Sequence, residues 1–512
     1  MADTQAFFDH ITNGYRTKGA AITLGAAMLN GTAITHALVT VPLKTLNRHG
    51  LIAGATGTGK TKSLQVLAEN LSEEGIPVLL MDMKGDLSGL AKPSPGHEKI
   101  DERHEKIGIP FTPKGFPVEI LSLSQQPGVR LRATVSEFGP VLLSRILNVS
   151  ETQAGIIAIL FKYCDDNKLP LLDLKDFKKT LHYATGDGKA EIAELYGRIS
   201  PASSGAILRK IVELEQQGGD LFFGEKSFDT NDLLRIDENG RGYINIVRLT
   251  DIQDRPKLFS TFMLCLLAEI YATFAEQGDS GRPELVIFID EAHLIFKEAS
   301  DALLDQIESI VKLIRSKGVG LYFVTQNPTD VPDAVLSQLG LKIQHALRAF
   351  TAKDRKAIKL TAENYPISEH YKTDEVLTSL GIGEALVSVL NEKGIPTPLA
   401  ATLLRAPMSR MDVLGGDELE ELIENSKIIP QYNEEIDRES AYEMLNKKIE
   451  TANKAEAKAK AKKEKAAASR PARSRGRGTS TRRRTSKSTI EKLLTSPTVI
   501  RGVLGILTKM IR

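Results

Sequence analysis

Gly54-Ala55-Thr56-Gly57-Thr58-Gly59-Lys60-Thr61 fits G-x-x-x-x-G-K-[ST] at every fixed position. Glycines reach backbone angles closed to other residues, so successive N–H groups can turn inward around a phosphate. The residues after the loop show helical spacing, and a helix start adds the positive end of its dipole. In that arrangement Lys60 reaches the β- and γ-phosphates, the Thr61 hydroxyl sits on Mg²⁺, and Lys62 closes the nucleotide-binding set. The expected ligand is a nucleoside triphosphate with Mg²⁺, and the expected cofactor pair is ATP and Mg²⁺.

A second stretch supplies the acids that such a ligand needs. Leu285-Val-Ile-Phe-Ile-Asp290-Glu291 is an apolar run closing on two carboxylates. Asp290 is suited to hold Mg²⁺, directly or through water, and Glu291 to polarise the water that attacks the γ-phosphate. Gly318-Val-Gly-Leu-Tyr-Phe-Val-Thr325-Gln326 reads as another buried strand with a polar end, where Thr325 and Gln326 can sense the γ-phosphate. Arg315 precedes that strand at the end of a helix, where a cation also complements the helix dipole. Lys342-Ile-Gln-His-Ala-Leu-Arg348 is a further strand ending in arginine. Ile76–Asp82 is a buried strand closing on Asp82-Met-Lys84-Gly85-Asp86, which faces either a ligand crevice or plain solvent.

The elements that must position these groups alternate between strand and helix patterns, as a mainly parallel α/β sheet requires. Residues 1–48 read as a short β-rich cap, with Ala21–Leu24, Ala33–Thr35 and Ala37–Val41 alternating loosely around Asn30-Gly31. Residues 49–135 and 236–407 read as two parts of one core. Residues 136–235 read as a helical insertion, which explains the long separation between Lys60 and Asp290. Glu384–Leu390 and Thr397–Leu404 read as a late hairpin. Residues 408–452 carry charged helical patterns.

The net charge of +2 conceals an asymmetry: residues 451–512 hold 18 Lys/Arg against 3 Asp/Glu, a net of +15, leaving −13 for the rest. Residues 453–488 are low in complexity and read as a disordered basic linker, and 489–512 as an amphipathic helix. The two cysteines, Cys164 and Cys265, lie apart in apolar runs, which favours free buried thiols over a disulfide or a metal site. The N-terminus lacks a basic start and an apolar core, and no apolar run reaches membrane-spanning length, so a cytoplasmic protein with no transmembrane segment is expected.

With these motifs in sequence order, the chain resembles the HerA/FtsK superfamily of ring-forming motor ATPases, and most closely the YjgR-like branch of bacterial HerA-type proteins. The residues carrying the likeness are Arg48–Thr61, Met81–Asp86, Phe288–His293 and Arg315–Pro328. The resemblance spans about residues 20–405. It implies an additional-strand, RecA-like P-loop core and a hexameric ring with ATP at each subunit boundary. It also implies an arginine finger from the neighbouring subunit, Arg315 in first place and Arg348 in second, and movement of double-stranded DNA. The N-terminal 48 residues look short for the β-barrel of full-length HerA proteins. Two functions follow as expectations. One is a motor coupling ATP hydrolysis to movement on DNA. The other is a nucleotide-gated scaffold that recruits a protein partner through its basic tail and last helix.

Overall fold

In the computed structural model, residues 2–468 are described, apart from 279, 298–300, 350, 435 and 437. The second half of the basic linker and the terminal helix expected at 489–512 lie outside the described residues. Residues 1–449 form one unit and 450–512 another.

The first unit is built on a twelve-stranded sheet. In chain order its strands are β1 (Ala21–Leu29), β2 (Thr32–Pro42), β3 (Gly50–Ala53), β4 (Val78–Asp82), β5 (Val118–Ser122), β6 (Val129–Arg130), β7 (Ile244–Arg248), β8 (Leu285–Ile289), β9 (Val319–Thr325), β10 (Leu341–His345), β11 (Glu384–Ser388) and β12 (Ala400–Leu404). Across the sheet the order is β2-β1-β12-β11-β10-β3-β9-β8-β4-β7-β5-β6. The pairs from β10 to β6 are parallel, and those from β10 outward to β2 are antiparallel. One strand, β9, therefore lies between the strand that feeds the glycine loop and the strand that ends in acids. That is the defining order of an additional-strand core.

Both faces of the central strands are covered, which is why they read as unbroken apolar runs. Alternate residues feed two separate cores. Leu51, Leu79, Met81, Ile287, Ile289, Leu321 and Phe323 pack with the helices of the insertion. Ile52, Val78, Leu80, Val286, Phe288, Tyr322 and Val324 pack against α1 (Ala2–Gly14) and α2 (Lys60–Glu73) through Phe7, Ile11, Leu64, Leu67 and Leu71.

The insertion is a compact set of helices: α3 (Glu98–Ile107) precedes it, then come α4 (Val135–Ile146), α5 (Glu151–Asp166), α6 (Leu174–Thr185), α7 (Lys189–Leu195) and α8 (Pro201–Gln216). Thr134, Ser150 and Asp173 start α4, α5 and α6 with reciprocal capping boxes. Beyond the insertion, the apolar helix Pro256–Thr273 packs into the same core.

Three expectations need correction. Residues 1–48 are not a separate cap. They open with α1, and β1 pairs with β12, so the segment extends the main sheet. The helix escaped the sequence pattern because only Phe7 and Ile11 anchor its centre in the core. Second, residues 453–468 are helical rather than disordered, as part of the helix Ala441–Ala468. Alanine, lysine and glutamate are strong helix formers, and Lys454 pairs with Glu450 one turn away. Third, β2 is one strand through His36, which adopts a left-handed φ of 65° between the two runs that the pattern separates.

Candidate functional site

The phosphate loop is shaped by backbone angles that its glycines alone tolerate. Gly54, Gly57 and Gly59 have φ of 151°, 77° and 111°. A Cβ on Gly54 would stand 2.5 Å from the Cβ of His345, whereas Gly57 at the loop apex faces open space. Neighbouring strands pin the two feet of the loop. The Gly54 N–H donates to Thr325 O (3.3 Å) on β9, and the Ala55 N–H donates to Ala346 O (2.9 Å) just past β10. Thr58 turns its hydroxyl back onto Ala55 O at 2.7 Å, so its side chain closes the loop rather than lining it. Thr56 at the tip is exposed, and Thr61 is half-buried in the first turn of α2.

Lys60 is buried, and its ammonium donates to Gly54 O (2.7 Å) and Ala55 O (3.2 Å). Burial depresses its pKa, with the Lys84 charge adding to the effect and Glu291 and Asp290 opposing it. A cation bonded only to neutral carbonyls over an open glycine loop suits an incoming phosphate. Lys62 behaves differently. Its ammonium is bonded to Met411 O, on the segment after β12. Beneath the loop, His345 Nε2 meets Ser63 Oγ at 2.8 Å. Burial, with the Lys60 charge second, lowers that imidazole to about 4, so it is neutral at pH 7.

Across β9 stand the acids. The register pairs Ala53 with Thr325 and Ile289 with Phe323, so the end of β8 and the glycine loop meet on the same edge of the sheet. Asp290 and Glu291 are both buried. The Ala292 N–H donates to Val324 O at 2.9 Å, bending the chain over β9 immediately after the acids. Glu291 takes a φ of 49° there. Left-handed backbone in a residue other than glycine costs about 1–3 kcal/mol and concentrates at functional positions.

Lys84 bridges the pair. Its ammonium lies 2.6 Å from Glu291 Oε1 and 3.5 Å from Asp290 Oδ2. Partial burial pulls the Lys84 pKa down, but Asp290 and Glu291 outweigh it and the net shift is upward. Burial raises Asp290, against the Lys84 charge. The second Glu291 oxygen, Oε2, is buried and lacks a hydrogen bond, although His293 Nδ1 stands 3.3 Å away. An orphaned carboxylate oxygen beside an open glycine loop fits a bound water or the coordination sphere of a metal ion. Asp290 at the end of β8 and Thr61 in the first turn of α2 carry the side-chain oxygens that the site could offer a metal ion.

The other sequence candidates separate. Thr325 is buried, and its hydroxyl donates to Asp330 Oδ2 at 2.6 Å, so it braces its own turn instead of facing a phosphate. Gln326 is exposed and lines a pocket with His293, Phe296 and Asp330, next to the acids. Asp82 is spent on structure: its carboxylate accepts N–H groups of Gly85, Asp86 and Leu87 (2.7–3.3 Å). Burial raises it to about 6.

Arg348 is exposed two residues beyond Ala346, on the loop's own edge of the sheet. Arg315 is exposed at the opposite edge, before β9 begins. The seven residues of β9 separate Arg315 from the loop by about 20 Å at ~3.3 Å per residue. Nearby, His49 is fixed in one tautomer. The Leu321 N–H donates to its Nδ1 (3.0 Å), so Nε2 carries the proton and donates to Val311 O (2.8 Å).

Two partners of the site were not legible as such. In sequence Lys84 belongs to a polar strand end that faces either a ligand crevice or solvent, and its tie to the acids depends on β4 lying beside β8. The segment after β12 forms a strap along α2. Buried Glu69 accepts the Met408 and Ser409 N–H groups (2.8 and 2.9 Å) and the Ser409 hydroxyl. Nothing in the local pattern of residues 405–411 signals that role.

A glycine loop after β3, acids after β8 and an intervening β9 define a P-loop NTPase fold of the additional-strand type. The chain belongs to the family described as helicase HerA-like, C-terminal, whose sequence model matches residues 28–512. It is similar to the DNA double-strand break repair helicase HerA of Sulfolobus acidocaldarius, with 25% identity over 398 residues, 73% of this chain and 68% of that protein. The protein of the same name from Saccharolobus solfataricus is 23% identical over 359 residues, 68% of this chain and 63% of the relative. The chain thus aligns with about two thirds of the length of these relatives. Among solved structures, the unbound monoclinic form of the bacterial conjugative coupling protein TrwBdeltaN70 superposes with a TM-score of 0.50 and 16% identity. That match covers 79% of this chain and 93% of the other, and it supports the fold.

Proposed function

We propose that the chain is an Mg-ATP-hydrolysing ring motor of the HerA type, acting on double-stranded DNA in the cytoplasm. The observation that carries this reading is the facing of Lys60 and the Asp290–Glu291 pair across β9, within one chain. Bound Mg-ATP would supply the γ-phosphoryl group and the metal that neutralises its charge. Loop N–H groups and Lys60 hold the phosphates. Thr61 and Asp290 would hold the metal. Glu291 takes the proton of the attacking water, and Gln326 orients that water from the neighbouring strand end.

The relatives named as DNA repair helicases support DNA as the polymer. The exposed position of Arg315, a strand length from its own loop, supports a finger acting on the next protomer, and hence an oligomer such as a hexamer. Assignment to the YjgR-like branch belongs to the same proposal. Among the described residues, no helix is long and apolar enough to cross a membrane.

The test is ATP turnover with and without duplex DNA in wild type and Glu291→Gln. Wild-type turnover is expected to rise with duplex. The variant is expected to bind ATP normally and hydrolyse it about 10²–10⁴-fold more slowly. Normal hydrolysis by Glu291→Gln would remove Glu291 from the mechanism.

A further inference from the structure

The phosphate loop has two flanks. On one lie the carboxyl end of β9, the acids and Gln326. On the other, a single tight turn, Gly381-Ile382-Gly383, is pressed against the loop. The Gly383 N–H donates to Thr58 O at 3.0 Å. A Cβ on Gly59 would come within 3.2 Å of the Gly383 nitrogen, so the approach depends on Gly59 having none.

Both glycines of this turn and the Ile382 carbonyl are held by hydrogen bonds. The Gly381 N–H donates to Glu384 Oε2 (2.7 Å), and the Leu404 N–H donates to Gly383 O (3.0 Å). Arg103, on α3, donates to the carbonyls of Ile382 (3.2 Å), Gly383 (3.1 Å) and Leu404 (3.1 Å). Yet the one side chain on the turn is a β-branched hydrophobe that is 71% exposed. Scattered exposed apolar residues are ordinary, but this one is immobilised by five backbone bonds and is the apolar group on the segment bonded to the loop. It contributes nothing to the core.

We propose that the turn Gly381–Gly383 is the nucleobase subsite, with Ile382 offering its apolar face to a purine ring. The inference rests on the nucleotide reading of the loop. Phosphates seated over Gly54–Lys60, with the γ-phosphate toward the acids, leave the nucleoside to extend away from β9, toward the flank where Ile382 stands. A flat base gains from an apolar contact whose position is already fixed, because little ordering is needed on binding. Arg103 and Glu384 are positioning residues in this arrangement: they hold the turn and do not touch the base.

The experiment compares ligands that share phosphates and differ in the base. Affinities for ATP, ADP and inorganic tripolyphosphate, each with Mg²⁺, are measured by titration calorimetry on the full chain. Ile382→Ser is expected to weaken ATP and ADP by the same factor, about tenfold, and to leave tripolyphosphate within about twofold. Ile382→Val is expected to restore most of the loss, which a general folding defect would not allow. Unchanged ATP binding by Ile382→Ser overturns the proposal, and so does an equal loss for tripolyphosphate, which would mark a distorted loop. Val413, exposed just beyond the strap, is the counterpart: a base-dependent loss in Val413→Ala and none in Ile382→Ser would overturn the proposal and move the subsite there. Lys60→Ala keeps the two levels apart. If that variant binds tripolyphosphate as wild type does, the nucleotide reading of the loop falls first.

Discussion

The two edges of the parallel sheet carry the same kinds of residue under opposite conditions. At the carboxyl edge, Lys60, Lys84, Asp290 and Glu291 are gathered and bonded to one another or to the loop. At the amino edge, Arg315 is exposed, and the nearby His49 is buried and neutral, lowered to about 4 chiefly by burial. Charge is concentrated where a triphosphate can meet it and left outward-facing where only another molecule can. One chain thus contains a nearly complete site on one edge and a cation on the other that cannot reach it. In the proposed ring, a head-to-tail contact between identical subunits would place unlike surfaces side by side.

The comparison breaks most sharply at arginine. If Arg315 serves the next protomer, Arg315→Ala is expected to lower turnover about 10³-fold or more while leaving ATP affinity near wild type. Arg348→Ala, on the loop's own edge, is expected to do much less. Turnover measured on both variants and on a mixture of Arg315→Ala with Lys60→Ala checks this, since mixed rings should recover some activity at boundaries where intact halves meet. A larger loss for Arg348→Ala would exchange the roles of the two edges.

Lys84 sharpens the reading of the carboxyl edge. Its ammonium lies between Asp290 and Glu291, so in the proposed mechanism it would compete with a metal ion for the same carboxylates. Lys84→Met is expected to reduce the Mg²⁺ concentration needed for half-maximal ATP hydrolysis several-fold. A raised Mg²⁺ requirement would show that the lysine instead helps to assemble the metal site.

The smallest expected effect concerns the strap. Burial pushes Glu69 up to about 7, against the Ser409 and Met408 hydrogen bonds. The folded chain therefore keeps this proton where the unfolded chain has released it. That contribution to stability is whole below the ordinary value of 4.5 and is lost as the pH rises to about 7. The melting-temperature gap between Glu69→Gln and wild type should then move in the variant's favour, by a few degrees, from about pH 5.5 to about pH 8. A constant gap would mean that Glu69 stays ionised.

Much of this architecture is readable in the chain because it is local. The strand, glycine loop and helix around Lys60 are contiguous, and buried parallel strands announce themselves as apolar runs ending in polar residues. The motif at Asp290-Glu291 is legible for the same reason. What escapes is what depends on sheet order. Lys84 meets the acids because β4 lies beside β8, and the strap meets α2 across more than 300 residues of sequence. Thr325 and Asp82 show the converse. Their positions at strand ends look chemical, but their polar atoms are taken by Asp330 and by turn N–H groups. Helix α1 was missed because two deeply buried side chains leave little periodic trace, and tertiary contact decides such a segment.

Both halves of the pocket hang from consecutive carbonyls of one strand. The Gly54 N–H is tied to Thr325 O and the Ala292 N–H to Val324 O. The width of the gap between the two is therefore set by main chain, not by adaptable side chains. The strand acts as a ruler: surface residues on either side can drift through evolution or engineering without altering the spacing, whereas an insertion or bulge inside Val319–Thr325 would misplace both halves at once.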